Sequence, residues 1–155
     1  MTIRTPLIAA LALLLSASPV LAARLEPIQD YVNSRDYGER DHSYPLLRCG
    51  ALYLASLKLT GDTLEPERAG QIAETATKMV AVATHFRVQP GMDPEAEANR
   101  TMDQVEVLVA DYMGRATGGR GKAFGADSLV KKDFKYCRTV TEPFVRNYDF
   151  NPPPR

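Results

Sequence analysis

The chain has no tryptophan, only two cysteines and two histidines, and no net charge, its 19 basic side chains matching 19 acidic ones over 155 residues. Each shortage excludes something. Charge balance argues against bulk attachment to nucleic acid, because phosphate binding needs a clear cationic excess. Two cysteines cannot make a disulfide-dense scaffold, and 10 glycines with 11 prolines are too few for a collagen-like or low-complexity chain. What is present, 45% hydrophobic and 25% charged residues, fits one packed globular domain rather than two.

Residues 1–22 read as a secretory signal peptide: Arg4, an apolar core from Leu7 to Leu15, then small residues leading to Val20-Leu21-Ala22. Ser16, Ser18 and Pro19 interrupt the apolar run before it reaches the roughly 20 residues a membrane-spanning helix needs. The expected mature chain starts near Ala23, exported to the bacterial periplasm or beyond, with no transmembrane segment. In an oxidising compartment the two cysteines, Cys49 and Cys137, are expected to be joined.

Hydrophobic spacing predicts four helices and no strand. Residues 23–43 form an irregular lead-in, extended or loosely helical, and Ser43 with Pro45 opens the first helix, whose Leu46, Cys49, Tyr53 and Leu57 share a face until Gly61. Pro66 opens the second, with Ile72, Ala76, Met79, Ala83 and Phe86 as its apolar stripe. Asp93 caps the third, on which Ala98, Met102, Val105, Val109 and Tyr112 repeat the pattern up to Gly118-Gly119. After a glycine-rich loop, Asp127 or Ser128 caps the fourth helix, carrying Val130, Phe134, Cys137 and Thr141 until Pro143 ends it. Residues 146–155 form a proline-rich tail. The expected fold is all-α: an up-and-down four-helix bundle over 44–145, with its first and last helices side by side and bridged by Cys49–Cys137. Closing a loop of nearly ninety residues contributes roughly 4–5 kcal/mol on the chain-entropy model.

The residue patterns that carry chemistry are mostly missing. His42 lies in the lead-in and His85 at a helix end, where an imidazole caps carbonyls; no G-x-S-x-G elbow accompanies either, and Ser43, Ser56 and Ser128 read as caps or small packing residues. Gly121-Lys122 resembles the end of a phosphate loop, but Ala116 replaces its first glycine and Ala123 its metal-binding hydroxyl. No C-x-x-C-H points to haem, and Val82 stands three residues before His85, where the Glu-x-x-His pair of a di-iron bundle helix needs a carboxylate. Met79, Met92, Met102 and Met113 with His85 are better explained by packing than by copper. Asp103, Glu106 and Asp111, with Glu95 and Glu97, read as a solvated helix face rather than a glycosidase pair. Asn99-Arg100-Thr101 is a formal glycosylation sequon. No catalytic residue, cofactor or metal is assigned.

Charge is distributed unevenly. Arg115, Arg120, Lys122, Lys131, Lys132, Lys135 and Arg138 face only Asp127 and Asp133 within 115–138, a local net of +5, while the remainder of the mature chain carries −6. Lys131, Lys135 and Arg138 fall on one helical strip beside the glycine loop with Arg120 and Lys122. The expected function is therefore non-enzymatic binding of an acidic protein or anionic envelope component through this surface. The competing explanation is that the basic last helix merely pairs with the acidic second and third. The broad plan is similar to that of small periplasmic acid-stress chaperones and of helical immunity proteins that neutralise toxins. That architectural likeness implies no site residue, and a small hydrolase is the remaining rival.

Overall fold

A computed structural model describes residues 25–36, 41–117 and 124–150. The expected signal peptide, most of the glycine loop with Arg120 and Lys122, and residues 151–155 lie outside them. The described residues are helical with no strand: α1 (Ile28–Asn33), α2 (Ser43–Thr60), α3 (Pro66–Arg87), α4 (Pro94–Thr117), α5 (Ser128–Tyr136) and α6 (Glu142–Arg146), with short 3-10 turns at Gly61–Thr63 and Phe124–Ala126. No helix among them is long and apolar enough to cross a membrane.

Local chemistry sets most boundaries. Asp41 braces the start of α2 from the residue before the N-cap position, His42: its Oδ1 accepts from the Ser43 amide at 2.9 Å and the Ser43 hydroxyl at 2.5 Å. Pro66 and Pro94 occupy first-turn positions, where the missing N–H costs nothing. The link between α3 and α4 turns at Pro90-Gly91, where Gly91 takes φ +87° and the Met92 amide donates to the Gln89 carbonyl at 3.1 Å. Asp127 caps α5 by accepting from the amides of Leu129 and Val130.

Helix α2 is the centre of the molecule. Residues 45–53 are all buried, because α3 and α4 pack along α2 and the shorter α5 touches it too, whereas α3 and α4 meet one another much less than either meets α2. An expected single stripe is thus a helix apolar nearly all round, as a fully surrounded helix requires. Gly50 lets α3 approach closely: a Cβ there would lie 2.8 Å from Val80 Cγ2 and 3.2 Å from the Ala76 carbonyl oxygen.

Three expectations are corrected. Pro143 does not end the last helix. The chain widens into a π turn over Cys137–Thr141, in which the Glu142 amide donates to the Cys137 carbonyl five residues back, and then continues as α6. The wider turn accommodates a proline that has no N–H to offer and whose ring crowds the previous turn. Met102 is 48% exposed, because the core stripe of α4 runs through Thr101, Val105, Leu108 and Tyr112. Phe86 is 44% exposed, since it lies in the last turn of α3, where Phe144 of α6 and Tyr148 cover its ring only in part.

Candidate functional site

Inside the molecule, one polar network fixes how the last helix is presented. Arg48, Tyr112 and Asp133 are completely buried. Arg48 donates from Nε to the Tyr112 hydroxyl at 3.1 Å, from one terminal nitrogen to the Glu26 carbonyl at 2.5 Å, and from the other to Asp133 Oδ2. The Tyr112 hydroxyl in turn donates a hydrogen bond to Asp133 Oδ2 at 2.6 Å, and the Ile28 amide donates to Oδ1 at 2.8 Å. Burial pushes the Asp133 carboxyl up from its ordinary value, while Arg48, Tyr112 and Ile28 pull the other way. Burial opposes the charge on Arg48, but Tyr112 and Asp133 outweigh it and hold the guanidinium protonated. The network therefore ties the segment leading into α1, α2, α4 and α5 at one point.

A second tie lies one residue along α2. The Cys49 and Cys137 sulfurs are 2.04 Å apart, a disulfide. Cys49 of α2 and Cys137 at the start of the π turn have Cα atoms 5.5 Å apart, so the expected neighbour relation between first and last helices is present. Asp133 and Cys137, four residues apart, thus both point at α2. At 100° per residue, Lys131, Lys135 and Arg138 then fall on the opposite side of the helix, and all three are exposed.

These cations surround a hollow of about 470 Å³ whose lining also includes Phe134 and Thr139. None of the three forms an ion pair or side-chain hydrogen bond among the described residues. No carboxylate of α3 or α4 lies within ion-pair distance of them among the described residues. Arg120 and Lys122, the other two expected contact residues, lie outside the described part of the chain.

A larger hollow of about 740 Å³ runs between α2, α3 and the α5–α6 segment and shares Phe134 and Arg138 with the first. On its wall Tyr53 stacks against Phe134, with centroids 5.8 Å apart, and donates to Glu142 Oε2 at 3.2 Å. Burial, with the nearby Glu142 carboxylate, pushes the Tyr53 hydroxyl well above its ordinary value. Arg68, Glu65 and Glu67 contribute charges of both signs.

The other candidate residues do not converge. His85 sits exposed among Phe86, Tyr148 and Phe150, at ring-centroid distances of 6.0–6.4 Å, and lines none of these hollows. Asp103 and Glu106 are exposed, and Glu97 is buried and paired with Arg100 at 2.9 Å. No group of three His, Cys, Asp or Glu side chains among the described residues is placed to hold a metal. The exposed rings of Phe86, Phe144 and Phe150 join through the partly buried Tyr148 into one continuous cluster, with Phe86 and Phe144 stacked at 6.3 Å.

Sequence reasoning placed Cys49 and Cys137 but missed Arg48 and Tyr112 as partners of Asp133, which it counted only as surface charge. The available signal was Arg48 itself, the one charged residue within an otherwise apolar stretch of the central helix. No family model matches the chain, and no curated protein or solved structure does so either.

Proposed function

We propose that the chain is an exported, non-enzymatic binding protein of the bacterial periplasm, a disulfide-braced four-helix bundle that contacts an acidic partner through the outer face of α5. One observation carries this reading: Lys131, Lys135 and Arg138 line one hollow and have no ion-pair partner among the described residues. Like charges left together and uncompensated cost self-repulsion, which an anionic partner relieves. Phe134 adds an apolar surface at the centre of the cluster. Export rests on the character of residues 1–22.

Immobilised poly-L-glutamate tests the reading at low salt. The wild-type chain is retained and is released as ionic strength rises. The Lys131→Glu, Lys135→Glu, Arg138→Glu variant flows through while keeping its helical circular dichroism. Equal retention of this folded variant would overturn the assignment.

A second reading, an acid-stress chaperone, draws support from the exposed rings of Phe86, Phe144 and Phe150, each more than 40% exposed. It requires further apolar surface to open as carboxylates protonate. Binding of a hydrophobic dye that stays flat from neutral pH to about pH 2 would exclude it.

A further inference from the structure

The two hollows on either side of Phe134 and Arg138 differ in charge. The smaller is lined by cations alone among its ionisable groups: Lys131, Lys135 and Arg138. The larger adds Arg68 but also Glu65, Glu67 and Glu142. Of these carboxylates, Glu142 is engaged by Tyr53 and Arg146, whereas Glu65, just before α3, and Glu67, in its first turn, are exposed and form no ion pair among the described residues. The surface therefore runs from an acidic end at α3 to a basic end on α5, and Arg138 lies where the two meet.

Size and lining indicate the occupant. A hollow of about 740 Å³ is already within the roughly 300–1,000 Å³ range of whole small-ligand sites. A ligand that also reaches the second, 470 Å³ hollow must be longer than an ordinary metabolite. The wall of the larger hollow also carries Ser56 and Gln71, which can hydrogen-bond a peptide backbone although the Gln71 amide also donates to Glu67 at 3.4 Å, and Ile72 with the Tyr53–Phe134 pair, which suit an apolar side chain.

We infer that the two hollows form one cleft for an extended peptide with separated charges, whose acidic residues lie against Lys131, Lys135 and Arg138 and whose basic residue reaches Glu65 and Glu67. This rests on the acidic-partner reading and gives it a peptide, a polarity and a second contact. About six residues at roughly 3.3 Å each give such a segment a reach near 20 Å. The acidic end of the cleft acts as a selector: it repels a uniformly acidic chain and favours one that carries a positive charge at the far end.

Calorimetric titration of the disulfide-intact protein separates this inference from the reading beneath it. The probes are acetyl-KAYAEE-amide, its reversed order acetyl-EEAYAK-amide, and the all-acidic acetyl-EAYAEE-amide. The better of the two mixed-charge peptides is expected to bind about fivefold more tightly than the all-acidic one. Glu65→Gln with Glu67→Gln is expected to erase that difference while leaving the all-acidic peptide bound at least as well as before. Lys131→Gln with Lys135→Gln is expected to weaken all three by about tenfold or more. If the all-acidic peptide binds as tightly as the mixed ones, or the glutamate changes leave the preference intact, the cleft inference fails and the basic-face reading survives. If no peptide binds, or the lysine changes have no effect, both fail.

Discussion

Thr101 is a threonine that the helix around it does not use. Its side chain is fully buried on the core stripe of α4, and its hydroxyl has no hydrogen-bond partner among the described residues. A buried hydroxyl left unpaired costs about 1–3 kcal/mol, and an isosteric methyl removes that cost. Thr101→Val is therefore expected to raise stability by about 1 kcal/mol, read as a higher urea midpoint with unchanged slope; a lower midpoint would mean that the hydroxyl is satisfied. Gly50 predicts the opposite sign from its propensity. Alanine in a helix interior ordinarily gains about 1 kcal/mol over glycine, but here its Cβ meets the stiff, branched Val80 side chain at 2.8 Å and the Ala76 carbonyl at 3.2 Å. Gly50→Ala is expected to destabilise by about 1–3 kcal/mol in thermal or urea unfolding. Neither residue was legible in the sequence. Thr101 appeared only as part of a sequon, and Gly50 as one glycine among ten, because nothing in a one-dimensional pattern states which neighbour will come within contact distance.

At the scale of elements, periodicity gave four long helices and most of their caps, since those depend on residues a few positions apart. It erred wherever a distant partner rotates or extends a helix. The α4 stripe is turned so that Tyr112 meets Arg48 and Asp133, which leaves Met102 half exposed. The last helix crosses Pro143 through a π turn that begins at Cys137, where the bond to α2 already fixes the backbone. The basic strip on α5 was legible because charge and spacing are local; the carboxylates of α3 that share its cleft were not, because 60 or more positions separate them. The Arg48–Asp133 pair is the test of how strongly the elements depend on one another. Removing one partner of a buried ion pair leaves an uncompensated charge and costs about 3–5 kcal/mol. Arg48→Met is expected to lose that much, and Asp133→Leu a comparable amount. The double variant is expected to lose clearly less than the two losses added together. Strict additivity in urea unfolding would show that the two side chains do not act as a unit.

Across the whole molecule, the disulfide and the buried network both join α2 to the last helix, and two phenols lie beside them. Tyr112 is completely buried within the network and Tyr53 nearly so beside Phe134. Burial pushes both hydroxyls well above the ordinary value near 10, helped at Tyr53 by the Glu142 carboxylate and, at Tyr112, by Asp133 against the opposing pull of Arg48. In the folded chain both stay protonated above that pH, whereas in the unfolded chain both ionise. The unfolded state then binds fewer protons, so the slope of stability against pH is negative. The stabilisation is complete below about pH 10 and is lost as pH rises beyond it, at roughly 1.4 kcal/mol per pH unit for each phenol. A jump to pH 11 is expected to ionise the accessible tyrosines at once, followed by a slower rise in tyrosinate absorbance that coincides with loss of helical circular dichroism. Tyr53→Phe is expected to make the alkaline fall in urea midpoint shallower, because it removes one of the phenols that burial pushes up, leaving Tyr112 and the less buried Tyr31. If all seven tyrosines ionise in the fast phase while the helices persist, neither phenol is sealed from solvent, and the tight seam between α2, α4 and α5 does not exist in solution.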